Sequence, residues 1–400
     1  MDPLKIMFIS NGKGEDSIAC TILRELIKIS QEEKTPEIKI KVLPLVGQGR
    51  AYERLAVEVV ANWKELPSGG FGGQRVSSLI KDIYSGLLKI TKEQIEVLNN
   101  ESATVHLVVC VGDLYPVALT AFFTNKPSVH IATAISCYFH KYNLLERWLF
   151  NKYCRLVIAR DELTAKYLQQ HRVKSVFFGN PMMDDPSLAL KGINYLPDNK
   201  RLIVLAPSSR EDAYENIMRM LKVIQETGNR PSLEWIIAWA PNLMPERLKQ
   251  VMKKNDWEIF WQAPNAKGFI GEARRTGVNP VKIVAANFGD LINSANVVIG
   301  MTGTGNEQVV GMGKPVFLLR GQGVNSTWRR ILQYRKLLGE SISIAWGSNK
   351  KIAKALVKMI NNPKKLKRMA EEGQARMGGT GGAYGIARSI YMEAMRSYHA

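Results

Sequence analysis

The chain has 400 residues, 46% of them hydrophobic and 23% charged, a balance that excludes a disordered or fibrous protein and leaves room for two globular domains, each with its own core. Lys and Arg exceed Asp and Glu by 55 − 36 = 19, which favours a polyanionic partner. The sequence shows no RNP signature, zinc finger or basic zipper, so nucleic acid is not the expected partner and an anionic membrane surface is; a basic solvated surface with no partner is the plainer alternative.

No apolar run reaches the ~18 residues a membrane span needs; the longest candidate, 107–123, is broken by Gly112, Asp113 and Pro116. With no signal-peptide core at its start, the chain is expected in the cytoplasm, peripheral on a membrane if its charge draws it there. Cys20, Cys110, Cys137 and Cys154 are scattered and read as reduced thiols, and the five histidines form no ligand pair, so no metal is expected.

In chain order, residues 4–10 read as a buried first strand. Asn11-Gly12-Lys13-Gly14-Glu15-Asp16 is a tight loop, and residues 17–29 carry Ile18, Ile22, Leu26 and Ile29 at helical spacing. This strand–loop–helix unit is the first crossover expected of a doubly wound sheet. The loop is not GxGxxG, and its acids would repel a phosphate. Asn11, Gly12, Gly14 and Glu15 therefore suit an uncharged group such as a sugar, and Asp16 a base; acidic caps on the helix are the structural alternative. Residues 38–46 alternate like a second strand. Residues 68–75, with Phe71, read as a glycine-rich loop before an amphipathic helix over 76–98, packed on the sheet or dipping into a membrane interface.

Residues 105–111 read as a buried strand ending in Gly112-Asp113. Ligands bind beyond the carboxyl ends of such strands, and Asp113, flanked by Val111 and Leu114, suits a base with a raised pKa; capping the next helix is its alternative role. Further strands are expected over 129–133, 156–159 and 175–178, with helices over 144–152 and 162–169. Gly179-Asn180-Pro181 breaks the pattern, placing an N-terminal domain at 1–185 and a second at 186–376.

The alternation restarts with strands over 201–205, 233–239 and 258–262. Ser208-Ser209-Arg210 lies in a strand-to-helix loop, where a guanidinium can hold two phosphate oxygens at once. A helix over 287–293 and a strand over 295–299 precede Thr302-Gly303-Thr304-Gly305-Asn306-Glu307. The glycines let backbone approach a ligand, the following helix aims its N–H groups at an anion, and Glu307 suits two vicinal hydroxyls. Phosphate plus diol describes a nucleotide; a plain strand-to-helix turn is the alternative. Helices over 324–338 and 350–361 flank a strand at 341–345. Residues 377–400 are a glycine-rich segment and a helix that crosses back to brace the first domain. Two β/α domains facing a cleft would set Asp16 and Asp113 opposite Arg210 and the 303–307 turn.

Taken in order, Asn11-Gly12-Lys13-Gly14-Glu15-Asp16, Val111-Gly112-Asp113, Gly179-Asn180-Pro181, Pro207-Ser208-Ser209-Arg210 and Thr302-Gly303-Thr304-Gly305-Asn306-Glu307 resemble the motifs of lipid-A-disaccharide synthase, a two-domain glycosyltransferase of the GT-B fold. Asn180 stands for the family's His, Ser208 for its Gly, and the last turn is one residue shorter. The resemblance implies an inverting, metal-independent transfer from a UDP-sugar to a lipid-linked or sugar acceptor, with no cofactor beyond the UDP-sugar donor. Ser209, Arg210, Gly303, Thr304, Gly305, Asn306 and Glu307 would hold the donor, Asp113 would be the base and Asp16 the second choice. No DxD triplet occurs, which agrees with transfer without a metal. Two other classes share these signals: a sugar-nucleotide epimerase resembling UDP-N-acetylglucosamine 2-epimerase, and a non-catalytic nucleotide-sugar or lipid-binding protein.

Overall fold

Runs of aliphatic and β-branched residues too short for helices, separated by amphipathic segments, build two sheets of mostly parallel strands, each covered by helices. The computed structural model describes residues 2–33, 36–63, 87–285, 287–321 and 326–399. They form two compact units, 1–185 with 380–400, and 186–379. Among the described residues no helix is long and apolar enough to cross a membrane.

Among the described residues the first unit has seven strands: β1 (Leu4–Ser10), β2 (Ile38–Pro44), β3 (Glu58–Val59), β4 (Leu107–Gly112), β5 (Ser128–Ala132), β6 (Cys154–Ile158) and β7 (Ser175–Val176). Their order is β3-β2-β1-β4-β5-β6-β7, parallel throughout. The helices are α1 (Lys13–Glu32), α2 (Leu87–Ser102), α3 (Leu114–Phe123), α4 (Leu144–Tyr153) and α5 (Glu162–Gln170). Met7, Ile9, Val108, Cys110, Val117 and Phe150 share one core layer. The loop expected at 68–75 and residues 76–86 of the expected helix lie outside the described residues.

The second unit has β8 (Arg201–Ala206), β9 (Leu233–Trp239), β10 (Glu258–Trp261), β11 (Phe269–Arg274), β12 (Val281–Ala285), β13 (Val297–Gly300), β14 (Val316–Leu318) and β15 (Ile342–Ile344), in the order β10-β11-β12-β9-β8-β13-β14-β15. Only β10–β11 and β11–β12 pair antiparallel. Its helices are α6 (Ala213–Gln225), α7 (Pro245–Lys253), α8 (Phe288–Ser294), α9 (Thr304–Gly311), α10 (Trp328–Leu338), α11 (Asn349–Ile360) and α12 (Pro363–Met377). Trp235, Ile237, Ile299 and Phe317 anchor the core under α6.

Four of these elements carry little sequence signal. In β11 and β12 the apolar runs are short and broken by Glu272, Arg274 and Lys282. α7 and α12 open on Pro245 and Pro363 at their first turns, where proline starts a helix rather than breaking it. In α12 only Met369, Gly373 and Met377 are buried, too sparse a stripe to read.

The final helix, α13 (Gly382–Tyr398), belongs to the first unit and packs along α1 with Ile386, Ala387, Ile390 and Ala394 buried. Its start is clamped by Asp184, whose carboxylate accepts from the N–H groups of Gly381 (2.6 Å) and Ala383 (2.7 Å). Arg155 donates to Ser397 near its end (2.7 Å).

Candidate functional site

In the first unit the chain leaves β1 toward β2 on one side, and β4 takes the other side. The carboxyl ends of β1 and β4, in register at Ser10 and Val111, thus form a topological switch point, where open sheets bind ligands. The loops after these strands meet there. Asn11 Nδ2 donates to Asp113 Oδ1 at 2.6 Å, and the same oxygen accepts from the Tyr115 N–H at 2.9 Å, capping α3. Gly112 has φ +138°, and a Cβ on it would overlap the Asn11 side-chain oxygen, so only glycine lets the two loops touch.

Asp113 is exposed while Val111 is buried. The apolar flanks expected to enclose this carboxylate therefore do not; the side chain points out, tied by an amide. Half-buried Glu15 lies close by. Burial pushes its carboxyl up; its own backbone N–H opposes this, the charge of Asp113 adds to it, and Arg160 and Thr133 oppose it again. Glu15 and Asp113 are thus neighbouring carboxylates at one strand-end loop pair, with Gly12 beneath Glu15, where a Cβ would overlap the carboxylate. Gly14 has open space around it.

Asp16 faces the other way. It is 4% exposed, and its Oδ1 accepts from Ser10 Oγ at 2.6 Å, with Tyr52 Oη 2.8 Å from the same hydroxyl. Burial pushes Asp16 up to about 6, against the Ser10 hydrogen bond. Burial, then the charge of Asp16, also holds the Tyr52 hydroxyl well above its ordinary value. Because the folded carboxyl binds its proton more tightly than an unfolded one, its contribution to stability is full below the ordinary Asp value near 4 and is lost as pH rises through about 6. A two-unit rise corresponds to on the order of 3 kcal/mol. Asp16→Asn should therefore flatten the loss of stability between pH 4 and 7 seen in chemical denaturation of the parent; an unchanged slope contradicts this seat for Asp16.

Asn180 is buried, and its Oδ1 accepts from the Met182 N–H at 3.1 Å. It borders a small cavity beyond the ends of β5 and β6, with Thr133 and Arg160; Arg160 Nη1 donates to the Thr133 carbonyl at 2.6 Å.

In the second unit β8 lies between β9 and β13, giving a second switch point at the ends of β8 and β13, where Ala206 pairs with Gly300. The Met301 N–H donates to the Ala206 carbonyl at 3.0 Å, so residues 207–210 and 302–305 leave neighbouring strand ends. Ser209, Arg210 and Thr304 are exposed, and Gly303 and Gly305 are partly so. Thr302 Oγ1 donates to Asn306 Oδ1 (3.0 Å), and Asn306 Nδ2 returns a bond to the Thr302 carbonyl (2.7 Å). Asn306, buried, therefore shapes the turn from within. A Cβ on Gly300 would overlap the Asn306 oxygen. Glu307 is also buried, beside Arg330; burial works against that guanidinium's charge, but Tyr334 and Glu307 hold it protonated.

Ser208 has φ +137°, a backbone region that side chains other than glycine's avoid. Its Oγ accepts from the Arg210 N–H at 3.1 Å. A glycine at this position would relieve that conformation. Ser208→Gly should be more stable than Ser208→Ala, both lacking the hydroxyl, by about 1–2 kcal/mol in denaturant midpoint; equal midpoints would show that the turn carries no strain.

Several groups at these strand ends have no motif. Tyr52 reaches Ser10 from a distant 3-10 turn at Arg50–Arg54, and only its burial marks it. Beyond β14 and β15, Trp328 and Trp346 stack at 4.1 Å with Arg320 over Trp328 at 5.8 Å; a tryptophan just past a strand end was the available signal.

No protein-family model matches the chain, and no curated protein matches it at a significant level. Solved structures do match over nearly its whole length. A putative UDP-N-acetylglucosamine 2-epimerase from Listeria monocytogenes matches with a TM-score of 0.58 and 13% identity, over 99% of this chain and 97% of its own. A UDP-glucose:anthocyanidin 3-O-glucosyltransferase in complex with UDP matches with 0.59 and 13%, over 99% and 100%. MurG from Acinetobacter baumannii matches with 0.57 and 11%, over 98% and 100%. At such identities the likeness is one of fold, and the narrower likeness to lipid-A-disaccharide synthase is carried by the short motifs alone. With two α/β units, each built on a Rossmann-like parallel sheet, the chain has the GT-B fold.

Proposed function

We propose that this protein is a glycosyltransferase that moves a sugar from a UDP-sugar to a lipid-linked or sugar acceptor with inversion, in the manner of lipid-A-disaccharide synthase. The observation that carries the reading is the pairing of chemistries at the two switch points. An exposed carboxylate, Asp113, sits at the first; an exposed guanidinium, Arg210, sits at the second, at the strand end next to the glycine turn at the start of α9. The solved GT-B structures with UDP-sugar enzymes' names support a UDP-sugar as the ligand class.

In this reading the second unit holds the donor. Arg210, Ser209 and the backbone of Gly303, Thr304 and Gly305 take the diphosphate and stabilise the charge that grows on it as the glycosidic bond breaks. Glu307 takes the ribose hydroxyls, which requires its side chain to shift from the buried seat beside Arg330. Asp113 accepts the proton of the acceptor hydroxyl as its oxygen attacks the anomeric carbon. Glu15 keeps a second carboxylate near it at the approach of the acceptor. Asp16, turned to Ser10 and Tyr52, positions the loop that carries Asn11. The net charge of +19 supports work at the anionic cytoplasmic face of a membrane.

An epimerase reading is favoured by the fold likeness to the Listeria structure. Incubation with the donor alone separates the two. A transferase leaves the sugar's C2 configuration intact by NMR, whereas a 2-epimerase interconverts it without any acceptor; the latter result overturns the proposal.

A further inference from the structure

Among the described residues, one surface of the first unit gathers large exposed apolar side chains. Leu144 (79% exposed), Leu145 (61%) and Trp148 lie on one side of α4, and Phe122 (60%) and Phe123 stand at the end of α3. Tyr153 links the two helices, 6.2 Å from Phe122 and 6.0 Å from Trp148 between ring centroids. Lys152 lies over both rings, at 5.0 Å from Trp148 and 5.2 Å from Tyr153. Residues 114–158 hold Lys126, Lys141, Arg147, Lys152 and Arg155 against a single acid, Glu146, and Glu146 is buried in a capping box with Asn143. Contiguous apolar surface of this kind marks an interaction site.

We propose that this face of α3 and α4 docks on an anionic lipid bilayer. Aromatic rings sit at the headgroup level, the leucines enter the acyl boundary, and the cations meet lipid phosphates while their stems cover apolar surface. A second copy of the chain fits less well: a twofold contact would set Lys152 against its own copy, and the one acid of α4, Glu146, is buried and cannot pair it. The docking stands on these residues alone. What rests on the transfer reading is its use: α4 starts at the same sheet end as α3, whose first residue follows Asp113, so a lipid-linked acceptor would be met at the end that carries the base.

The test is sedimentation of the full chain, without donor or acceptor, with vesicles of phosphatidylcholine alone or mixed equally with phosphatidylglycerol. The double variant Leu144→Asp with Leu145→Asp keeps the helix, because acids suit its first turn. We expect the parent to pellet with the mixed vesicles and the double variant to lose at least roughly tenfold in partitioning. Lys152→Glu should reduce pelleting at low salt, and by less as salt screens the attraction to lipid phosphates. Unchanged pelleting of the leucine variant, equal pelleting on uncharged vesicles, or a parent dimer that the leucine variant dissociates in sedimentation velocity each overturns the proposal. UDP release with a water-soluble acceptor tells the two readings apart. Release without vesicle binding removes the docking face alone, and vesicle binding without release on any acceptor removes transfer alone.

Discussion

Asp113→Asn is expected to lower UDP release by roughly a hundredfold to ten-thousandfold, the usual range for losing a general base, with UDP affinity unchanged in calorimetry. The geometry makes the variant informative. Both hydrogen bonds recorded for Asp113 fall on Oδ1, from Asn11 and from the Tyr115 N–H, which leaves Oδ2 to the acceptor. Asparagine caps a helix about as well as aspartate, so α3 keeps its start and the fold is not at stake. What disappears is the capacity to take a proton. Full turnover in this variant removes Asp113 from the mechanism and turns attention to Glu15, whose carboxyl is held up by burial and faces the same loop.

Arg210→Ala should weaken UDP binding by about 10- to 100-fold, since a hydrogen bond to a charged group contributes about 1.5–3 kcal/mol and each 1.4 kcal/mol is tenfold. Arg210 is exposed, and the bond that shapes its loop comes from its backbone N–H to Ser208, so truncating the side chain leaves the loop in place. Arg210→Lys should recover only part of the loss, because an ammonium cannot bind two phosphate oxygens in one plane. Calorimetric affinity equal to that of the parent contradicts the role.

Much of this was legible in the residues. The buried strands β1, β4, β8 and β9 are largely apolar runs, and the loops after β1, β4, β8 and β13 announce themselves by glycine, acid or arginine. Strand order is what brings them together in pairs, and the register of Ser10 with Val111 and of Ala206 with Gly300 is a property of tertiary pairing that no local pattern encodes. The burial of Asp16 was hidden for the same reason: Ser10 is near it in sequence, but Tyr52 closes the seat from another element. Asp113 shows the converse. Its capping and its exposure coexist, so the structural role that competed with catalysis in the sequence turns out to hold the side chain in the open. Ser208 looked like a simple departure from a glycine motif; only the backbone angle shows what the departure strains. Glu307 suited two vicinal hydroxyls in the sequence, but the helix carries it to a buried seat beside Arg330.

The most direct measurement is UDP release from a panel of UDP-sugars, with and without a membrane lipid extract, by the parent and by Asp113→Asn. The account predicts release from at least one donor that depends on the extract and nearly vanishes in the variant. Release that ignores the extract and the variant alike, or tight UDP binding with no release from any donor, contradicts it.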